Sequence, residues 1–219
     1  MQTGTDSLVE TRMGWTVRFR PGAAPGGPLL VLLHGWTGDE NSMWVFVGQV
    51  PAAWSVIAPR APYPSPDGGY SWRERGPGEW TYPEIGSLWA AGTSLLTFLD
   101  QLFADTGNRP SEVNLAGFSQ GAAMAIALLL KTPERFRRVA ALSGFLPVGA
   151  ATAVPEARLA GREVLVTHGR QDEIVPVAMG RRLASFVEQQ GASVRICESD
   201  GGHKVSKECM QAFGSFFAT

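Results

Sequence analysis

The residue whose surroundings point most directly to chemistry is Ser119. It stands in the pentapeptide Gly117-Phe118-Ser119-Gln120-Gly121, a G-x-S-x-G pattern. An apolar strand-like run (VNLA) precedes this pentapeptide, and an Ala-rich helical run (AAMAIALLL) follows it. A serine on a sharp strand-to-helix turn is exposed at the edge of a sheet, and the amino end of the helix favours a developing negative charge. The pattern therefore predicts a nucleophilic serine.

A serine nucleophile needs a base, and the chain has three histidines, His34, His168 and His203. In serine hydrolases with this turn, the chain order is serine, acid, histidine. His203 is the only histidine that can follow, at a comfortable spacing, an acid that itself follows Ser119. His34 and His168 each end an apolar strand and precede a glycine, so we expect them to bond loop backbone near the site.

The acid is predicted to be Asp172, in the loop after the apolar run VLVT. A carboxylate there would hold the imidazole of His203 in its productive tautomer. Two alternatives are open. Glu173 is expected to begin a helix, and Asp200 would have to fold back along its own loop to reach His203.

Backbone N–H groups are expected to stabilise the oxyanion. In this kind of site they come from the residue after the nucleophile and from the loop after an early central strand. The predicted donors are therefore Gln120 and Trp36. The sequence has no phosphate loop, dinucleotide fingerprint or metal-ligand spacing, so we expect no cofactor and no metal.

Short apolar runs alternate with longer helical patterns along the chain. The predicted strands are Trp15–Arg20, Leu29–Leu33, Ser55–Ala58, Val113–Ala116, Val139–Leu142, Val164–Thr167 and Val194–Cys197. The predicted helices are Ser87–Ala104, Gln120–Lys131, Pro176–Gln190 and Ser206–Phe217. This alternation predicts a single α/β domain over residues 1–219, with a mostly parallel sheet and helices on both faces.

A long segment, Ala61–Gly86, interrupts this alternation. It is rich in Pro and Gly and carries five aromatic residues, Tyr63, Tyr70, Trp72, Trp80 and Tyr82. Long loops in compact domains are usually functional or disordered, and five aromatics argue against disorder. We expect the segment to form one wall of a substrate pocket. The predicted pocket residues are Tyr70, Trp72, Phe145 and Leu146, together with Trp36.

The overall composition excludes several classes of partner. The net charge of the 219 residues is −1, without a run of Lys and Arg, so neither nucleic acid nor an anionic membrane is expected as a partner. The longest apolar stretch, Ala122 to Leu130, is far shorter than the ~20 residues of a membrane span. The amino terminus has no signal-peptide pattern, and the chain is expected to be cytoplasmic. Cys197 and Cys209 are expected to be reduced, with a single bridge as the alternative.

Taken together, these motifs resemble the phospholipase/carboxylesterase family, which includes bacterial carboxylesterases and acyl-protein thioesterases. The resemblance covers nearly the whole chain from about Leu29 and rests on six segments: LLHGWTGDEN, PRAPYP followed by GGYSW, LAGFSQGAAMA, ALSGFLP, THGRQDEIVP and GGHKVS. It implies an eight-stranded α/β-hydrolase fold with little or no lid, and hydrolysis through an acyl-enzyme. By position it also implies the triad Ser119, Asp172 and His203, with Trp36 and Gln120 as oxyanion donors.

The predicted function is that of a serine carboxylesterase acting on small-molecule esters of short to medium acyl chains. The position of Trp36 is often occupied by a smaller residue in the family, so this side chain is expected to narrow the pocket and to place the optimum at roughly four to eight acyl carbons. An acyl-thioester or lysophospholipid hydrolase is the alternative, and a non-catalytic binding module is a remote one. The exposed aromatics could also serve a homodimer interface.

Overall fold

An eight-stranded sheet forms the centre of the protein. The computed structural model describes residues 8–76, 81–155 and 158–218. In chain order, the strands of these residues are β1 (Leu8–Arg12), β2 (Trp15–Arg20), β3 (Leu29–Leu33), β4 (Ser55–Pro59), β5 (Tyr63–Pro64), β6 (Tyr70–Ser71), β7 (Val113–Phe118), β8 (Arg138–Leu142), β9 (Glu163–Gly169) and β10 (Ser193–Ser199). The sheet order is β1-β2-β4-β3-β7-β8-β9-β10. Strands β1, β2 and β4 pair antiparallel, and all pairs from β4 to β10 are parallel. The mostly parallel sheet predicted from the sequence is confirmed.

Helices cover both faces of this sheet. They are α1 (Ile85–Thr106), α2 (Gln120–Lys131), the short α3 (Ala150–Ala153), α4 (Val177–Gln189) and α5 (Lys207–Phe217), with 3₁₀ turns at Trp44–Gln49 and Pro133–Arg135. Helices α1, α2 and α4 share one hydrophobic core with the sheet. Helix α5 and the 3₁₀ turn Trp44–Gln49 form a second core on the opposite face. This is the layer arrangement of a doubly covered α/β sheet.

Strand β3 shows why the sequence run LLVLL is apolar at every position. Successive side chains of a strand point to opposite faces. Leu29, Val31 and Leu33 enter the core under α1, α2 and α4, whereas Leu30 and Leu32 enter the core under α5. All five side chains are buried, because both faces of the strand are covered.

The loops at one edge of the sheet are the ones that contain the predicted site residues. The loops after the carboxyl ends of β3, β7, β8, β9 and β10 all open on the same edge, because these strands are parallel. The chain leaves β3 toward β4 on one side and returns to β7 on the other, so the sheet has its topological switch between β3 and β7. Ligands of open α/β sheets bind outside the carboxyl ends of the strands at such a switch.

The long segment between β4 and α1 is partly ordered by a two-residue hairpin, β5 with β6. Tyr70 pairs with the loop after β3, since Thr37 N donates to Tyr70 O at 3.0 Å and Tyr70 N donates to Gly38 O at 3.0 Å. The segment is thereby fixed beside the carboxyl end of β3. Trp80, one of its five aromatics, lies outside the described residues.

The expectation of two reduced cysteines is wrong. Cys197 on β10 and Cys209 on α5 form a disulfide, with their Cα atoms 5.6 Å apart. The bond closes the loop between β10 and α5, which contains His203. No helix in the described part of the chain is long and apolar enough to cross a membrane.

Candidate active site

Ser119 lies at the turn between β7 and α2 in a strained backbone conformation. Its φ of 53° is in the region that non-glycine residues rarely adopt. The two flanking glycines are required sterically. A Cβ on Gly117 would lie 2.1 Å from Gly121 O, and a Cβ on Gly121 would lie 2.1 Å from Leu33 O. The turn therefore brings β7, α2 and the end of β3 into direct contact around Ser119.

The carboxylate of Asp172 binds the imidazole of His203. Asp172 Oδ2 accepts a hydrogen bond of 2.7 Å from His203 Nδ1, and Asp172 Oδ1 accepts from the backbone N–H groups of Ile174 and Val175 at 3.0 and 2.8 Å. The Asp172 side chain is completely buried, whereas that of His203 is 19% exposed. Because Nδ1 faces a carboxylate, it carries the proton, and Nε2 is left as the lone-pair atom that can accept a proton.

The two other carboxylates considered from the sequence do not reach His203. The side chain of Asp200 is 81% exposed and forms an ion pair with Arg170 at 3.0 Å. Glu173 is exposed beside the buried Asp172. The geometry therefore favours Asp172 among the three.

Ser119 and His203 meet the same edge of the sheet from neighbouring loops. The ring of Phe118, the residue before Ser119, packs against the His203 ring at a centroid distance of 4.9 Å. The structure has no hydrogen bond within 3.5 Å between these two described side chains. Hydrogen bonds of catalytic groups are often long in the absence of substrate and tighten when it binds. The arrangement thus places the predicted base near the predicted nucleophile without a hydrogen bond between the two side chains.

The loop after β3 runs directly beside Ser119. A Cβ on Gly35 would lie 3.5 Å from Ser119 Cβ, and the next residue is Trp36. The Trp36 indole donates to Ser65 Oγ at 2.9 Å, which fixes its side chain against the long segment. Gln120 is the first residue of α2, so its backbone N–H has no acceptor within the helix. Both predicted oxyanion donors therefore flank the serine.

The side chain of Gln120 makes two hydrogen bonds to the long segment that the sequence did not suggest. Its Oε1 accepts from Trp72 N at 3.0 Å, and its Nε2 donates to Ser71 Oγ at 3.0 Å. The buried amide thereby ties the long segment to the amino end of α2.

His34 braces the loop after β3, which carries the predicted oxyanion donor Trp36. Its Nε2 accepts a 3.0 Å hydrogen bond from Ala61 N, so the proton is on Nδ1, which donates to Gly35 O at 2.6 Å. Burial lowers the pKa of His34, which keeps the ring neutral in this role.

His168 braces the loop of Asp172 in a similar way. It is buried, and its Nε2 donates to Val175 O at 2.7 Å, 3.4 Å from Asp172 Oδ2. Val175 also donates its N–H to Asp172, so the imidazole and the carboxylate hold the same residue. The structural role predicted for both histidines is thus what the geometry shows.

A small cleft of about 350 Å³, counting its open mouth, lies over Ser119. Its lining residues are Trp36, Arg73, Arg75, Thr81, Tyr82, Pro83, Ser119, Gln120, Phe145 and Val175. Tyr82 packs edge-on against Phe145, with centroids 4.7 Å apart. Of the residues predicted to form the substrate pocket, Phe145 and Trp36 line this cleft.

Three of the predicted pocket residues lie elsewhere, and this is a correction. Trp72 is completely buried and donates its indole N–H to His34 O at 2.8 Å. Tyr70 stacks under the guanidinium of Arg60 at 4.6 Å and accepts a hydrogen bond from it at 3.0 Å. Leu146 lines a neighbouring groove behind Tyr82 instead of the cleft over Ser119.

The long segment still forms one wall of the cleft, through residues that sequence reasoning missed. They are Arg73, Arg75, Thr81, Tyr82 and Pro83. The signal that could have indicated them is the pair of arginines in SWRER, the two basic residues of this segment.

Among the described residues, no group of three His, Cys, Asp or Glu side chains could hold a metal ion. The site is built from a serine, an imidazole, a buried carboxylate and backbone N–H groups. These groups can carry out nucleophilic acyl transfer.

Comparisons with known proteins identify the family of the chain. Residues 84–219 match the phospholipase/carboxylesterase family. A probable carboxylesterase of rice (Oryza sativa) is 33% identical over 122 residues, which are 54% of this chain and 45% of the rice protein. Acyl-protein thioesterase 1 of the yeast Kluyveromyces lactis is 28% identical over 190 residues, which are 79% of this chain and 82% of the yeast protein.

A solved structure resembles the whole chain. The carboxylesterase of Mesorhizobium loti superposes with a TM-score of 0.80 over 97% of this chain and 98% of its own, at 24% identity. At 24% identity this likeness supports the fold alone, and membership of the family rests on the match of residues 84–219. The chain belongs to the phospholipase/carboxylesterase family and has its α/β-hydrolase fold.

Proposed function

We propose that this protein hydrolyses carboxylic esters of short to medium acyl chains through an acyl-enzyme on Ser119. Its family is one of carboxylic ester hydrolases. The observation that carries the assignment to particular residues is the buried Asp172–His203 hydrogen bond of 2.7 Å beside the strained Ser119 turn. Strain of this kind costs free energy, and it is typically retained where function requires it.

In the proposed reaction, His203 Nε2 takes the proton of Ser119 as its Oγ attacks the ester carbonyl. The backbone N–H groups of Gln120 and Trp36 stabilise the oxyanion of the tetrahedral intermediate. Asp172 keeps the proton of the imidazole on Nδ1 and stabilises the imidazolium. The protonated imidazole then delivers its proton to the leaving alcohol, and water, activated by the same imidazole, releases the acid.

Replacement of the nucleophile tests this proposal. Ser119→Ala should reduce ester turnover by roughly 10⁴-fold or more, because residual catalysis comes only from the oxyanion donors and from binding. Ser185→Ala is the matched control, since Ser185 is an exposed serine on α4. Turnover in Ser119→Ala that stays within tenfold of the wild type, with p-nitrophenyl butyrate as substrate, would refute the assignment.

Thioester hydrolysis is a second candidate, because the yeast relative is named an acyl-protein thioesterase. The rates of hydrolysis of a p-nitrophenyl ester and of a coenzyme A thioester with the same acyl chain distinguish the two activities. We favour the ester, since the family match and the rice relative carry that name.

Three further predictions accompany the proposal. The sequence leads us to expect little or no lid, which predicts turnover of dissolved esters without micelles. A homodimer would have twice the molar mass of one chain in solution, which light scattering measures. The cytoplasmic location also stays a prediction, and the Cys197–Cys209 disulfide weighs against it, because such bonds are rare in reducing compartments.

A further inference from the structure

Trp72, the residue after β6, is completely buried and is hydrogen-bonded through both its backbone and its side chain. Its backbone N–H donates to Gln120 Oε1 at 3.0 Å, and its indole N–H donates to His34 O at 2.8 Å. Gln120 is the first residue of α2, and His34 directly follows β3. One residue of the long segment is therefore attached to both elements that carry the predicted oxyanion donors.

The carbonyl oxygen of His34 lies where these two elements meet. A Cβ on Gly121 would lie 2.4 Å from His34 O, so the second residue of α2 packs directly against this carbonyl. The predicted donor Trp36 stands two residues after it in the same loop. The indole bond of Trp72 therefore fixes the loop after β3 next to Trp36 and at its contact with α2.

The side-chain amide of Gln120 makes the second attachment. It is buried, and besides its bond to Trp72 it donates from Nε2 to Ser71 Oγ at 3.0 Å. Ser71 Oγ in turn donates to Arg73 O at 2.7 Å, which fixes the backbone on both sides of Trp72. The first turn of α2 cannot shift relative to Trp72 without breaking two buried hydrogen bonds.

An oxyanion site depends on the separation of its two N–H donors. Such donors act because they are in place before the negative charge develops, and removing one typically costs about 10²- to 10³-fold in kcat. A misplacement on the order of 1 Å can cost about 10²-fold. The N–H groups of Gln120 and Trp36 belong to elements far apart in the chain, so a residue bonded to both elements fixes their separation.

We propose that Trp72 is a positioning residue of the oxyanion site, because it holds the loop after β3 with its indole and the amino end of α2 with its backbone N–H. This inference rests on the proposed esterase function and adds a role of the long segment in the reaction. Trp72 does not line the cleft, so its effect reaches the substrate only through the backbone donors. An interaction of this kind is expressed in the transition state, and its loss lowers kcat with little change in KM.

Replacing Trp72 by Phe tests the indole bond. The variant keeps an aromatic ring in the core and loses the N–H that binds His34 O. With p-nitrophenyl hexanoate, kcat should fall by roughly 10- to 100-fold, and KM should stay within about threefold. The matched control is Trp89→Phe, which loses an indole bond of the same kind, to Ala127 O at 3.1 Å between α1 and α2. Its kcat should stay within about twofold of the wild type, and thermal melting records the stability of both variants.

A transition-state analogue distinguishes misplaced donors from a general loosening of the fold. The ketone 1,1,1-trifluoroheptan-2-one has the alkyl chain of a hexanoyl ester, and its hemiketal with a serine places an oxyanion in the same site. Its inhibition constant should rise in Trp72→Phe by the factor by which kcat/KM falls. In Trp89→Phe it should not change.

Gln120→Met tests the second attachment. The variant keeps the backbone N–H and the length of the side chain but loses both amide bonds, and it should lower kcat by roughly tenfold or more. In the double variant with Trp72→Phe, the loss should be smaller than the product of the two single losses, because both substitutions release the same attachment. If Trp72→Phe does not fold, Gln120→Met decides in the same assays, since the indole bond is intact in it.

Three results would overturn the inference and leave the esterase proposal intact. The first is a folded Trp72→Phe or Gln120→Met enzyme with kcat within about twofold of the wild type. The second is a fall in kcat without a rise in the inhibition constant of the ketone, and the third is a double variant in which the two losses multiply. A wild type that does not hydrolyse p-nitrophenyl hexanoate would instead overturn the proposed function and, with it, this inference.

Discussion

Replacing Asp172 by Asn changes a single group in the proposed triad with little change in shape. The remaining amide oxygen can still accept from Ile174 N and Val175 N, so the loop keeps the bonds that hold it. The amide NH₂, however, then faces His203 Nδ1 in place of the carboxylate oxygen at 2.7 Å. The amide NH₂ and the protonated Nδ1 are both donors and cannot bond each other, so the imidazole adopts the tautomer with its proton on Nε2. In this tautomer Nε2 cannot accept the proton of Ser119.

The expected loss is about 10⁴-fold in kcat, equivalent to ~5.4 kcal/mol of transition-state stabilisation. Initial rates on p-nitrophenyl hexanoate over a range of concentrations give kcat and KM, and thermal melting shows that the variant is folded. The control is Asp200→Asn, which removes an exposed ion pair with Arg170 and should leave kcat within about twofold. A folded Asp172→Asn enzyme within tenfold of wild-type kcat, or an equal loss in Asp200→Asn, would refute the assignment of the acid.

Three further predictions concern other parts of the site. Replacing Cys197 and Cys209 together by Ser should lower the free energy of unfolding by about 3 kcal/mol, as expected for a disulfide that closes a loop of this length. The double variant should also have a lower kcat, because the loop that contains His203 is no longer closed by the disulfide. An unchanged urea midpoint and an unchanged kcat would contradict this prediction. Burial lowers the pKa of His34, so the contribution of the neutral ring to the free energy of unfolding is complete above about pH 6.5 and is lost as the pH falls below that value, by at most about 1.4 kcal/mol per pH unit. The urea midpoint of the wild type should therefore fall more steeply with acid than that of His34→Gln. The same pH dependence of both midpoints would refute this prediction. Trp36→Ala should move the best p-nitrophenyl ester to a longer acyl chain, because the indole lines the cleft; an unchanged optimum would contradict this.

The sequence predicted the central elements because their patterns are local. Strand β3 is apolar at all five positions, and the G-x-S-x-G turn lies between a clear strand and a clear helix. Strand β1 was missed, because its residues LVETR lie exposed at the edge of the sheet and show no apolar alternation. The hairpin of β5 and β6 has two residues in each strand, too few for any periodicity.

The errors in the candidate site come from contacts between residues far apart in sequence. Trp72 was expected in the pocket wall, but its indole bonds His34 O, 38 residues away, and is buried. The disulfide depends on how α5 packs against β10, which brings Cys197 and Cys209 together, and their spacing alone does not reveal this. Arg73 and Arg75 were overlooked because the aromatic residues of the same segment were the stronger signal for a pocket.

The most direct test of the central claim is to locate the covalent adduct of an acyl-enzyme analogue. The protein is treated with a fluorophosphonate, digested, and examined by tandem mass spectrometry. The account predicts one modified residue, Ser119, and strongly reduced labelling in His203→Ala, in which the serine has lost its base. An adduct on a different serine, or undiminished labelling of Ser119 in His203→Ala, would contradict it.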